Sequence, residues 1–406
     1  MPRASTNFVT VLLLMVAAAC GGRDATVAAV TVDTLANGAV RTMSSAPTAP
    51  GSVTLEHLLD IQPPVDDSTE LMNPRGLAVA DDGSVLVSES GAGHIKVFGP
   101  TGGFQRSIGR RGQGPNEYEV AFIAVRGDTL LVQDPEVARL SRVLWRSGSY
   151  LNSVRTGCCY WSSFGVDAEG RAWVRSISQA PDTTFRHRQG FFRVGVTRDV
   201  IDTVFAYERK DLPEQPYWEI RSGSDLQMMM VIPLQPRAYY EVDPTGTLLT
   251  GWSGEYSLRE TTDGRDTVAI FGRSYTPVPV ASNEKQRIVE DRIARQLANG
   301  RQGGPDEATY RKAFDASLIP DQQPAYTNVA VDKMGRRWLQ VPTADTSVVQ
   351  FDVFSRDGRW QDTVRLSRRD WPNEGVWAAW GRDRVAVRLE DEDGRPLIRV
   401  FAIRQR

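Results

Sequence analysis

Short apolar runs separated by tight glycine turns recur along most of this chain. Residues 73–87 read NPRGLAVADDGSVLV, 163–174 read SFGVDAEGRAWV, 239–249 read YYEVDPTGTLL and 328–341 read NVAVDKMGRRWLQV. Each is an apolar run, an Asp-x-x-Gly turn or a close variant, and a second apolar run. Four copies of one phrase predict a repeat architecture. Asp and Gly are the residues that hairpin turns demand, so we read them as makers of the fold and not as ligands.

The copies extend into longer units. HIKVF at 94–98 is followed by FQRSI at 104–108, and VVQFDVF at 348–354 by WQDTVRL at 360–366. Phe98 to Phe104, Leu144 to Tyr150 and Phe354 to Trp360 are each six positions apart. Asp-Thr-Val recurs at 202–204, 266–268 and 362–364, where a fourth strand should run. Alternating apolar and polar positions mark these segments as half-buried strands. Six units of four strands result. The second spans 122–155 and turns at Gly127-Asp128, and the sixth begins near Val376. The sixth has only three strands before the chain ends, while 52–61 (SVTLEHLLDI) is a strand without a unit. Pairing the two closes a ring and removes both sheet edges. The predicted fold is all-β: a six-bladed β-propeller over 52–406, closed by an N-terminal strand. An insertion at about 281–320, between units four and five, carries a helical pattern over 282–298 and a second over 306–317.

Residues 8–19 (FVTVLLLMVAAA) are too short to cross a bilayer as a helix and read as a signal peptide. The small residues that follow end in Cys20-Gly21-Gly22, which resembles a bacterial lipobox. That resemblance makes Cys20 the lipidated first residue, with residues 1–20 as leader and the outer membrane as destination. Acyl chains would then anchor an otherwise soluble domain. Residues 21–51, rich in Ala, Thr, Ser, Gly and Val, are expected as a flexible tether. A formal charge of −2 provides no basic field for nucleic acid.

The phrases NPRGLAVADDGSVLVSESGAGHIKVF and FQRSIGRRGQGPNEYE resemble an NHL-type blade. Over 52–406 the chain is similar in architecture to the six-bladed propeller lipoproteins of bacteria. The resemblance is sharp in the first blade and in the Asp-x-x-Gly turns.

The long connections (62–73, 109–120, 156–161, 208–236, 273–324 and 367–374) all join a fourth strand to the next first strand. They therefore emerge on one face of the disc, and a site is expected at the mouth of the channel there. Arg75, Arg237 and Tyr326 stand just before first strands, and Arg110 and Arg111 lie in a Gly-rich loop. Tyr160 and Trp161 follow the adjacent pair Cys158-Cys159; Trp371 and Trp377 lead into the sixth unit. Arginines and aromatics at a concave mouth suit an anionic or carbohydrate ligand. Cys158 and Cys159 form either a vicinal disulfide or two small reduced residues packed inside.

The expected function is a monomeric, lipid-anchored binding or assembly module of the cell envelope. Its partner would be a protein, a glycan or a small anionic ligand at the built-up face, with no cofactor or metal expected. His57, His94 and His187 fall in separate units, which disfavours a three-His zinc site, and no Gly-x-Ser-x-Gly elbow is present. The alternative is a gluconolactonase-like or strictosidine-synthase-like enzyme with an axial metal, for which Asn328, Asp243 and Glu241 are the candidate ligands.

Overall fold

The computed structural model describes residues 30–65, 68–156, 164–179, 187–195, 200–206, 215–222, 224–298, 304–372 and 378–406. They form a six-bladed propeller, as the repeats predict. The innermost strands are Pro74–Val79, Phe122–Arg126, Gly165–Val166, Ala238–Val242, Asn328–Val331 and Ala378–Trp380, and each begins a blade of four antiparallel strands. Blade 6 is completed by Val53–Ile61, which pairs with Pro396–Gln405 in the register Val53↔Gln405 to Ile61↔Ile398. Asp362 of blade 5 fixes the entry of this closing strand by accepting from Gly51 N at 3.0 Å and Val53 N at 2.7 Å.

In every blade the third and fourth strands are joined through a β-bulge, at Val97/Phe98, Arg142/Val143, Arg193/Val194, Glu260/Thr261, Val353/Phe354 and His57/Leu59. A bulge raises local twist, and a propeller blade needs strong twist between its inner and outer edges. The six-residue aromatic interval is this device in two blades, where Phe98 opposes Phe104 and Phe354 opposes Trp360. In blade 2 Leu144 instead opposes Ser149. The glycine turns lie at the opposite face from the long connections. Gly83, Gly170, Gly246 and Gly335 all hold φ between 75° and 85°, which only a residue without Cβ adopts freely.

Two features depart from expectation. The stretch expected as tether is folded from residue 30. Val30–Thr34 and Val40–Ser44 form a hairpin whose second strand runs parallel to Thr267–Arg273, extending blade 4 to six strands. The chain then follows the rim of blade 5 through Thr48 N to Trp360 O (2.8 Å) and Ala49 N to Gln361 O (2.9 Å).

The two longest insertions also fold onto each other. The hairpin Tyr217–Ser222/Asp225–Val231, from the connection between blades 3 and 4, packs against α1 (Ser282–Ala298) and α2 (Glu307–Ala313), from the next connection. Trp218 is the centre of this accessory unit. It stacks on Phe314 with centroids 4.6 Å apart, and its indole N–H donates to Asp315 O at 3.0 Å. Val289 and Ile293 of α1 are buried beside it. The second helix is shorter than its sequence pattern: Asp306 caps it by accepting from Thr309 N, and it ends at Ala313 before a separate 3-10 turn, Ala316–Leu318.

Candidate functional site: the axial channel and the built-up face

Each innermost strand turns an unpaired backbone edge toward the axis. The channel is therefore polar along its backbone even where its side chains are apolar, since such groups must be met by water or ligand. It encloses a cavity of about 260 Å³, lined by residues such as Leu77, Ala124, Val166 and Ala330. The inner strand of blade 3 has only two described residues, Gly165 and Val166, paired with Trp173 and Ala172. Beyond them, Arg175 and Phe191 from the second and third strands of that blade reach the cavity wall.

Arg175 lies over the Tyr240 ring, 5.8 Å from its centroid, and it is the charged neighbour of Glu241. Among the described residues no hydrogen bond reaches the Glu241 carboxyl. Burial pushes its pKa up to about 7, and Arg175 opposes the rise. The cavity thus holds one carboxyl that changes charge near neutrality beside a fixed cation.

Of the candidate metal ligands, Glu241 and Asn328 line the cavity and Asp243 does not. Asp243 sits in the glycine turn, where it accepts from Thr245 N at 2.8 Å and faces Arg337 at 3.2 Å. Arg337 also pairs with Glu260, so this aspartate helps hold blades 4 and 5 together. Among the described residues, no three His, Cys, Asp or Glu side chains converge as a metal site would require.

Five of the eight candidate ligand residues are described, and none of the five lines the axial cavity. Tyr326 is a core residue and not a mouth residue. It is fully buried against Tyr239 and Tyr256, at centroid distances of 5.4 and 6.0 Å. Arg110 and Arg111 are exposed, but their charges are met by Glu117 at 2.6 Å and Glu119 at 3.3 Å. Their loop is a folded staple in which Arg110–Arg111 pairs with Glu117–Tyr118 over the buried Tyr118 ring. At Gly93, under this staple, a Cβ would lie 2.3 Å from Tyr118 O. Arg75 is the bulged, partly buried residue of the first inner strand. Arg237 is exposed at the entry to Ala238–Val242, with its backbone N–H donating to Ser253 Oγ at 2.8 Å. Tyr160, Trp161, Trp377, Cys20, Cys158 and Cys159 lie outside the described residues.

The accessory unit rises from the built-up face, since both of its segments are connections of that face. No residue of α1, α2 or the hairpin lines the axial cavity.

No protein-family model and no curated protein matches the sequence. Among solved structures, the chain is similar to a "putative exported protein" of Bacteroides fragilis at 14% identity and a TM-score of 0.48, covering 90% of this chain and 98% of that one. It is also similar to a member of the DUF4221 family from Bacteroides vulgatus (11% identity, TM-score 0.43, 87% and 99% covered). A third is the PQQ-bound aldose sugar dehydrogenase of Streptomyces coelicolor (12% identity, TM-score 0.40, 88% and 100% covered).

Proposed function

We propose that the protein is a binding module of the cell envelope, anchored by acyl chains on Cys20 and engaging its partner at the built-up face. The observation that carries this reading is the accessory unit. Two insertions from different connections share one core around Trp218, which gives that face a rigid, raised surface beyond what the ring needs to close. Loops held by a rigid scaffold are where recognition is placed. At the opposite face the described connections are short turns, and the turn aspartates Asp167, Asp243 and Asp332 accept hydrogen bonds within their own turns.

The test is photo-crosslinking in the native envelope, with a photoreactive residue at Ser224 or Arg237 on the built-up face and at Met334 or Asp357 on the turn face. Discrete adducts from the first pair alone are expected. Adducts from the turn face alone, or from neither, would refute the reading. Loss of membrane association and of labelled palmitate in Cys20→Ser tests the anchor separately.

A further inference from the structure

Between blades 5 and 6, on the built-up face, lies a cleft of about 1150 Å³. That exceeds the range of roughly 300–1000 Å³ in which a single small molecule is usually enclosed. Among the described residues, five guanidinium groups line it, from Arg295, Arg365, Arg368, Arg369 and Arg388, against the carboxylate of Glu390. The chain as a whole carries a formal charge of −2, so this concentration of positive charge is local and opposes its own assembly.

The fold sorts the charges. Ser367 ends the outer strand of blade 5, and the 3-10 turn Arg368–Asp370 follows. Asp370 is taken by Arg399, which also holds Asp60 at 2.7 Å. Arg368 and Arg369 are left on the cleft. Arg368 is partly buried and donates to Val348 O at 3.2 Å, with no ion pair to any described residue. Its burial lowers its pKa, and no carboxylate among the described residues opposes that shift. Arg365 donates to Gln350 Oε1 at 2.9 Å, and Arg295 to Asp291 O of its own helix at 3.3 Å. These acceptors are neutral and orient the guanidinium planes, and the one nearby carboxylate that acts on Arg365 among the described residues is the exposed Asp345. Arg388 is paired with Glu390 at 3.4 Å. Trp371 also lines the cleft, buried, with no acceptor for its indole N–H among the described residues.

A guanidinium presents a planar fork of donors that matches carboxylate and phosphate. One small anion would engage one or two such forks. Arginines contributed by blade 5, blade 6 and α1 around a cleft of this size match several anionic groups carried on one molecule. We propose that the cleft binds an elongated polyanion with phosphate or carboxylate groups spaced along it, gripped by Arg368 and Arg369 and flanked by Arg295 and Arg365. This rests on reading the built-up face as the binding face and names the chemistry that face selects.

Titration calorimetry on the full chain tests it with tripolyphosphate, trigalacturonate and neutral maltotriose. One of the two anions should bind and maltotriose should not, and which anion binds tells phosphate from carboxylate. Affinity should fall at least about tenfold in Arg368→Gln/Arg369→Gln, and also when salt is raised from about 50 to about 300 mM. Arg369→Gln alone, at an exposed position, should weaken binding without lowering the melting temperature. Arg404→Gln/Arg406→Gln removes the same charge at the turn face and should leave binding intact. Dissociation constants weaker than about 1 mM for both anions, or equal losses in the two double variants, would overturn the proposal. Crosslinks at Ser224 or Arg237 without anion binding would sink the polyanion and leave the binding-face reading standing.

Discussion

The carboxylate of Asp332 accepts a hydrogen bond from the indole N–H of Trp338 at 2.9 Å, across the glycine turn that joins the first two strands of blade 5. Its second oxygen accepts from Met334 N and Arg336 N, and the Arg336 guanidinium closes the cluster at 2.6 Å. Asp167 repeats the arrangement with Glu169 N, Arg171 and Trp173 in blade 3. The shared phrase Asp-x-x-Gly-Arg-x-Trp is therefore one buried hydrogen-bonded unit used twice. In Asp332→Ala the buried tryptophan N–H loses its acceptor and Arg336 its carboxylate partner, and stability should fall by about 3–5 kcal/mol. Asp332→Asn keeps the shape and part of the bonding, and should cost about 1–3 kcal/mol. Urea unfolding of the two variants checks the order; equal costs would mean that the charge is immaterial.

The N-terminal hairpin covers the outer edge of blade 4. Removing residues 1–44 should leave the ring closed, because Val53–Ile61 and its Asp362 anchor remain. It would also bare the backbone of Thr267–Arg273, an edge on which another chain can pair. The truncated protein is expected to self-associate with rising concentration in sedimentation velocity, while the longer chain stays monomeric. A truncated protein that remains monomeric would show that this edge is protected by other means.

The sequence made the blades legible because each blade repeats local devices, the glycine turn and the bulge. It was less informative wherever one blade meets another. Tyr326 precedes an inner strand, as a mouth residue should, yet its ring enters the core because Gly251 of blade 4 makes room. A Cβ there would lie 2.3 Å from Tyr326 Oη. The hairpin at 30–44 did carry a signal, Asn37-Gly38 between alternating residues, which the Ala- and Thr-rich composition of its surroundings obscured. Arg365, Arg368 and Arg369 are neighbours in sequence, but only the fold brings Arg388 and Arg295 to the same cleft. The accessory unit was visible as helices, and its partner hairpin was not.

Trp218 should matter to the accessory unit and not to the ring. Trp218→Ala removes the stack on Phe314 and leaves a large cavity among Ile220, Val289 and Ile293, a loss of about 3–5 kcal/mol. The propeller blades share none of that core. Limited proteolysis should then cut within 282–298 while the ring stays resistant, and the main thermal transition should hardly move. A single lowered transition with no local cleavage would show that the unit and the ring fold as one.

Glu241 gives the channel a pH dependence whose sign is fixed by its raised pKa. The unfolded carboxyl ionises near 4.5 and the folded one at about 7, so between those values the folded state holds more protons. Stability must then decline as pH rises through this window and level off above it. Glu241→Gln removes the term. The variant and the parent should be alike near pH 4.5 and diverge toward pH 8, with the glutamine form the more stable by about 1–3 kcal/mol. Melting temperatures taken across that range decide it. A constant offset between the two proteins would mean that the carboxyl keeps an ordinary pKa in the channel, and that Arg175 or water meets its charge in full.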